Sequence, residues 1–161
     1  IILDRDGTIN EDRDDFVKSP EEWVPLPGAL EAIARLNHAG FRVVVATNQS
    51  GIGRGLFDMA MLNAIHEKMH KALMHAGARL DAIFFCPHTA DAKCECRKPK
   101  PGMLIRAMTD FPVIKERSFL IGDKQADLEA AKAAGVRGFL FSGGNLSQFA
   151  DWVLADMGEN R

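Results

Sequence analysis

Short apolar runs alternate along the whole chain with segments whose apolar residues recur at helical spacing. The apolar runs predict strands at 1–3, 41–46, 82–85, 118–121 and 138–141. The other segments predict helices at 28–38, 58–77, 102–109, 126–134 and 147–156. Such alternation indicates a parallel sheet that carries helices on both faces. We therefore expect an α/β fold with a doubly wound sheet in three layers.

Length and composition bound the class of protein. The 161 residues predict one domain, residues 1–161, since domains usually span about 100–200 residues. No insertion is large enough to form a cap domain, and the one long irregular stretch, 7–27, is predicted to be a loop over the edge of the sheet. A formal net charge of −2 argues against a nucleic-acid partner.

Membrane and export signals are missing from the pattern. No apolar run approaches the roughly 18–20 residues that span a bilayer, and no charged segment precedes an apolar leader. We therefore expect a cytoplasmic protein without a membrane partner. The chain opens inside a strand and has no initiator Met, so we expect that a few residues precede Ile1.

Two carboxylates follow the first predicted strand, in the run Asp4-Arg5-Asp6-Gly7-Thr8. The strand should deliver both acids to the carboxyl edge of the sheet, where open α/β folds bind ligands. There, one carboxylate can attack phosphorus while the other acts as acid and base, with a hard cation between them. The alternative is an acidic turn with no chemical role.

Polar side chains follow two later strands in the same way. They are Thr47 and Asn48 after the second strand, and Asp123, Lys124 and Asp127 after the fourth. The basic turn 97–102 opens a helix, whose backbone N–H groups favour anions. Carboxylates at neighbouring strand ends repel one another unless a cation binds, and Mg²⁺ suits two carboxylates, a carbonyl and a phosphate oxygen. Asp127 would either cap its helix or support the metal.

Three cysteines and one histidine lie within eleven residues, as Cys86, His88, Cys94 and Cys96. One local cluster does not resemble a disulfide framework, whereas three thiolates and an imidazole match a closed structural Zn²⁺ site. The metal would stabilise a loop of small polar residues and position the cations that follow it, Arg97 and Lys98. The remaining histidines, on predicted helices, are expected at the surface or the core edge: His38, His66, His70 and His75.

Together these motifs resemble the haloacid dehalogenase-like superfamily of phosphatases. The resemblance rests on Asp4-x-Asp6-Gly7-Thr8, Thr47, Lys98 and Gly122-Asp123-(x3)-Asp127, in order along nearly the whole chain. It implies a Rossmannoid fold in which Asp4 is the nucleophile, forming an aspartyl-phosphate, and Asp6 is the acid and base. It also implies that Thr47 and Lys98 stabilise the phosphoryl group. Mg²⁺ would bind Asp4, the Asp6 main-chain carbonyl and Asp123.

Within the superfamily, the zinc loop resembles two subfamilies, the heptose bisphosphate phosphatases and the histidinol-phosphate phosphatases. Residues 47–55 and 97–103 favour the first, and so does the pair Asp123-Lys124. That resemblance implies a phosphosugar substrate that contacts Asp12, Arg13, Asp14, Asp15, Asn48, Gln49, Ser50, Arg97 and Lys124. The acids of 12–15 would either bind sugar hydroxyls or simply be solvated.

Three other functions remain open at this point. Histidinol phosphate is the alternative substrate, and a polynucleotide 3′-phosphatase shares the Thr-Asn-Gln turn but would not be expected to carry the zinc loop. The non-enzymatic alternative is a zinc-stabilised module that binds phosphosugars or nucleic acid. Without a large cap domain, the chain is expected to act as a monomer.

Overall fold

The structure, a computed structural model, describes residues 1–158 and contains one parallel sheet. Its strands are Ile2–Leu3 (β1), Val44–Asn48 (β2), Ala82–Cys86 (β3), Phe119–Gly122 (β4) and Arg137–Leu140 (β5). Their order is β3-β2-β1-β4-β5, and every pairing is parallel. The chain therefore winds outward in two directions from β1 and β4. The predicted doubly wound α/β sheet is confirmed.

Helices cover both faces of this sheet. They are Ala29–His38 (α1), Ser50–Gly53 (α2), Met59–His75 (α3), Gly102–Asp110 (α4), Gln125–Ala134 (α5) and Leu146–Asp156 (α6). One apolar core joins α1, α3 and α6 to the sheet, with Ile33, Ile65 and Val153 fully buried. A second core on the opposite face joins α4 and α5. The three predicted layers are therefore present.

The second strand differs from its prediction, because it begins at Val44 and continues to Asn48 rather than spanning 41–46. The Phe41 amide donates to Leu36 O at 3.0 Å and so belongs to the end of α1. The Val43 amide donates to the Asp81 carboxylate at 2.8 Å instead of to a strand. The short helix α2 was not predicted, since two glycines in four residues leave no apolar period.

The irregular stretch before α1 is held down by its own side chains. Trp23 is 1% exposed and packs near α3, where the Lys68 ammonium donates to Trp23 O at 2.9 Å. The same ammonium lies 5.9 Å from the centroid of the Trp23 ring. Ile9 and Val17 are buried as well. The loop is therefore a packed part of the domain at the carboxyl edge of the sheet.

Within residues 1–158, no helix combines the length and the apolar composition that crossing a membrane requires.

Candidate active site

Three carboxylates meet where the winding of the sheet reverses, which is where α/β sheets open a crevice. Asp4 follows β1, Asp123 follows β4, and Asp127 lies in the first turn of α5. One oxygen from each lies within 4.8 Å of the others. Burial and the nearby Asp4 carboxylate raise the pKa of Asp123 to about 7. Asp123 Oδ1 is buried and has no hydrogen-bond partner within residues 1–158. This donor set fits a hard divalent cation.

The Lys98 ammonium lies inside this cluster and is 4% exposed. It donates to Asp4 Oδ1 at 2.9 Å, to Asp127 Oδ1 at 2.6 Å and to Ala46 O at 2.7 Å. Burial opposes its charge, yet the two carboxylates keep the pKa of Lys98 above its ordinary value. Burial likewise opposes ionisation of Asp4, but the Lys98 charge keeps the pKa of Asp4 below its ordinary value. The pair therefore stays ionised in a buried site.

Asp127 caps its helix, one of the two uses that its sequence position suggested, and it also binds Lys98. Its Oδ2 accepts from the Lys124 amide at 3.1 Å and so caps α5, while its Oδ1 binds Lys98. Gly122 makes room for it, because a Cβ at that position would lie 2.3 Å from Asp127 Cγ.

Asn48 supports the loop that carries Lys98. Its Nδ2 donates to Lys98 O at 3.1 Å, and its Oδ1 accepts from the Lys98 amide at 3.0 Å. Both polar atoms of Asn48 are therefore used on the main chain of Lys98, whereas we expected them to bind substrate. The signal was missing from the sequence because the two residues are 50 positions apart.

Asp6 is held from both of its oxygens. Oδ1 accepts from Arg5 Nη2 at 2.7 Å and from Asn10 Nδ2 at 3.0 Å. Oδ2 accepts from Gln49 Nε2 at 3.1 Å, and the same nitrogen donates to Thr47 Oγ1 at 2.9 Å. A single amide therefore links the end of β1 to the end of β2.

Gly7 lets the first motif approach β4. Its φ is +82°, and a Cβ there would lie 2.0 Å from Asp123 Oδ2. Any other residue would combine backbone strain with a collision against a candidate metal ligand.

Two acids of the exposed loop after Asn10 are paired with cations. Asp12 accepts from Lys124 Nζ at 3.1 Å, which ties the loop to the end of β4. Lys18 and Arg13 bind Asp15 and lower the pKa of its carboxyl to about 2. Asp14 is exposed on the same loop. Ser50, in contrast, is buried at the start of α2.

The predicted zinc ligands lie together at the end of β3. One ligand atom from each of Cys86, His88, Cys94 and Cys96 lies within 4.8 Å of the others. Cys86 Sγ is 3.6 Å from Cys94 Sγ and 3.5 Å from His88 Nδ1. This set could bind zinc tetrahedrally with no position left for substrate. Arg97 Nη1 donates to His88 O at 3.2 Å, so this arginine also supports the loop.

Two buried residues beside the site were missed from the sequence. Arg5 is 0% exposed and His66 is 7% exposed, and Arg5 Nη1 lies 3.1 Å from His66 Nε2. The expectation that His66 lies at the surface or core edge is wrong. Its place on α3, between the buried Leu62 and Met69 at helical spacing, was the available signal. His38, His70 and His75 are exposed, as expected.

Comparison with known proteins shows the family of this chain. A model described as haloacid dehalogenase-like hydrolase matches residues 1–135. The chain belongs to this family. It is similar to the D-glycero-beta-D-manno-heptose-1,7-bisphosphate 7-phosphatase of Bordetella bronchiseptica, with 55% identity over 145 residues. The aligned region covers 90% of this chain and 81% of that protein. It is 51% identical over 135 residues to the enzyme of the same name from Neisseria meningitidis serogroup A, covering 84% of this chain and 72% of that protein.

Solved structures of the family agree. The crystal structure of D,D-heptose 1,7-bisphosphate phosphatase from B. bronchiseptica, complexed with magnesium and phosphate, matches with a TM-score of 0.90 and 47% identity. That match covers 97% of this chain and 98% of the other. The Burkholderia thailandensis enzyme of that name matches with a TM-score of 0.67 and 47% identity, covering 99% and 86%. This haloacid dehalogenase-like hydrolase therefore shares its fold with phosphatases at high identity.

Proposed function

We propose that this protein is a Mg²⁺-dependent phosphatase that removes the 7-phosphate of D-glycero-D-manno-heptose 1,7-bisphosphate through an aspartyl-phosphate on Asp4. The product would feed nucleotide-heptose synthesis for bacterial surface polysaccharide. The observation that carries the reaction is the buried contact of 2.9 Å between Lys98 Nζ and Asp4 Oδ1, with Asp123 and Asp127 beside it. The choice of substrate is supported by relatives named D-glycero-beta-D-manno-heptose-1,7-bisphosphate 7-phosphatase, one of which is 55% identical to this chain.

The first step forms the covalent intermediate. A carboxylate oxygen of Asp4 attacks phosphorus, the new Asp4 O–P bond forms, and the bond from phosphorus to the sugar oxygen breaks. Asp6 donates its proton to the departing alkoxide. Lys98 and Thr47 stabilise the charge on the phosphoryl oxygens, which is the largest contribution a protein makes to this transfer.

The second step regenerates the enzyme. Asp6, now a carboxylate, takes a proton from water while the water oxygen attacks phosphorus, and the Asp4 O–P bond breaks. Mg²⁺, held by Asp4, the Asp6 main-chain carbonyl and Asp123, would neutralise the facing carboxylates and orient the phosphate. Asp127 keeps Lys98 in place through both steps.

The sugar and its second phosphate would lie between the acidic loop and the cations of the zinc loop. Arg97 and Lys100 are candidates to bind that distal dianion. Arg54 is a third, and its guanidinium lies 5.8 Å from the centroid of the Phe16 ring. The carboxylates of residues 12–15 would bind sugar hydroxyls once Asp12 and Lys124 separate.

We also infer that residues 1–161 form one domain that works as a monomer in the cytoplasm, without nucleic-acid or membrane partners. The two apolar cores on either face of one sheet support a single domain across the described residues 1–158.

A comparison of substrates tests the proposed function. We expect kcat/KM for either anomer of the heptose bisphosphate to exceed that for histidinol phosphate by about 100-fold or more, because a site built for polar groups rejects ligands that leave them unpaired. Phosphorus NMR should show loss of the 7-phosphate and retention of the 1-phosphate. A higher kcat/KM for histidinol phosphate would mean that histidinol phosphate, and not the heptose bisphosphate, is the substrate. No phosphate release from any phosphosugar with Mg²⁺ present would favour the non-enzymatic module.

Removal of zinc should weaken catalysis without removing a catalytic group. The double variant Cys94→Ser with Cys96→Ser should lose zinc and lower kcat by about 10–100-fold, because the segment before Lys98 loses its anchor. Metal analysis and kcat at saturating Mg²⁺ measure both effects. Ala92→Ser, an exposed change in the same loop, serves as the control. An unchanged kcat in zinc-free protein would contradict this role for the loop.

A further inference from the structure

The Arg5 guanidinium is enclosed between the Asp6 carboxylate and the buried His66 ring. Its Nε and Nη2 donate to Asp6 Oδ1 at 3.0 and 2.7 Å. On its other side, Nη1 lies 3.1 Å from His66 Nε2, and the Arg5 side chain is fully buried. His66 comes from the middle of α3, 61 positions away in sequence. The general acid is therefore joined to a helix that contributes no other group to the candidate site.

The partners of this contact fix the protonation of His66. A guanidinium offers only donors and stays charged, so His66 Nε2 must accept and the ring proton must be on Nδ1. Burial, together with smaller contributions from Arg5 and His70, lowers the pKa of His66 to about 3. His66 is therefore a neutral acceptor at any ordinary working pH.

The two oxygens of Asp6 are consequently unequal. Oδ1 accepts from Arg5 and from Asn10, and a proton placed there would displace an ionic hydrogen bond. Oδ2 accepts only from Gln49 Nε2, at 3.1 Å, among the contacts that the structure gives for it. The Asp6 side chain is 15% exposed, so it retains access to the crevice. The proton that the reaction needs thus belongs on Oδ2.

We propose that His66 is a positioning residue for proton transfer: it holds the Arg5 guanidinium on Asp6 Oδ1 and so reserves Oδ2 for the proton that passes to the leaving alkoxide. This rests on the proposed function and adds a residue to it. Without an acceptor at position 66, one buried donor of Arg5 has no partner. The guanidinium then shifts, and Asp6 keeps only Asn10 and Gln49 to orient it.

Two amide substitutions separate this role from simple packing. His66→Gln places its amide oxygen near the position of Nε2 and should keep the bond to Arg5. His66→Asn ends near the position of Nδ1 and cannot reach. Both side chains are polar, so they impose a similar burial cost on the core. His70→Asn, an exposed change on the same helix, is the control.

The readout is the rate of leaving-group release in single turnovers with two kinds of phosphate ester. A sugar alkoxide needs a proton to depart, whereas the p-nitrophenolate of p-nitrophenyl phosphate does not. For His66→Asn we expect about a tenfold loss with the heptose bisphosphate, because positioned acids contribute about 10²–10⁴-fold and a misplaced one keeps part of this. With p-nitrophenyl phosphate we expect less than about a twofold loss. His66→Gln should retain most of the rate with both esters.

Other outcomes overturn the inference. Equal losses with both esters would assign His66 to packing alone, and a loss in His66→Gln as large as in His66→Asn would remove the acceptor role. Unchanged rates in both variants would also remove the acceptor role. If the wild-type protein does not hydrolyse the heptose bisphosphate, that result alone contradicts the proposed function. The comparison then proceeds with histidinol phosphate as the alkyl ester, or with any alkyl phosphate that turns over.

Discussion

Replacing Asp4 with asparagine should abolish phosphate release, with kcat lowered by at least about 10³-fold, because an amide oxygen cannot form the acyl-phosphate. The fold should survive. Lys98 keeps its bond of 2.6 Å to Asp127, so no buried charge is left without a partner. Removal of one of three facing carboxylates also relieves the repulsion that adds to burial in raising the pKa of Asp123. Steady-state kinetics and acid trapping of phosphorylated protein measure the chemistry, and thermal unfolding measures the fold.

The matched control is Asp110→Asn. Asp110 ends α4 and pairs with Arg106 at the surface, so its loss should leave kcat within about twofold of wild type. Substantial turnover in Asp4→Asn, or a phosphorylated form of that variant, would remove the covalent mechanism.

Lys98→Met should damage both activity and stability. The substitution keeps the length of the side chain but leaves Asp4 and Asp127 buried against each other without their cation. Losing one partner of a buried ionic cluster costs about 3–5 kcal/mol of unfolding free energy. Catalysis should fall by about 10²–10³-fold or more, the usual effect of removing one donor to a developing oxyanion. Urea unfolding and kcat at saturating substrate check the two effects.

An exposed lysine provides the comparison for this variant. Lys71→Met removes a charge from α3 whose ion pair within residues 1–158 is with Glu67, and both side chains are more than 60% exposed. It should change the unfolding free energy by less than about 1 kcal/mol. If Lys98→Met were as stable as Lys71→Met, the buried cluster would not be held by this ammonium.

Much of the architecture was accessible from pattern alone. The apolar runs and the helical spacings predicted a parallel sheet with helices on both faces, and the boundaries were wrong mainly at β2. The start of β2 depends on Asp81, whose carboxylate accepts a hydrogen bond from the Val43 amide, 38 positions away in sequence. No local pattern carries such information. The short helix α2 escaped because Ser50–Gly53 has no apolar face to read.

The candidate site, too, was predicted only in part from the sequence. Asp4, Thr47 and Asp123 were predicted from their places at strand ends, since the carboxyl ends of parallel strands share one edge. Lys98 was predicted from the basic turn that opens α4. The support around them was not predicted. Asn48 binds the main chain of Lys98, and Lys124 binds Asp12 from 112 positions away.

Strand period and motif order are local properties, so the order of residues is enough to predict which chemical groups are present and at which edge of the sheet they lie. How those groups are held depends on contacts between distant segments. Lys98 is charged because two buried carboxylates enclose it, and Asp6 is oriented because Arg5 is bound to His66. Burial and distance set these interactions, and both arise only when segments far apart in the chain pack together.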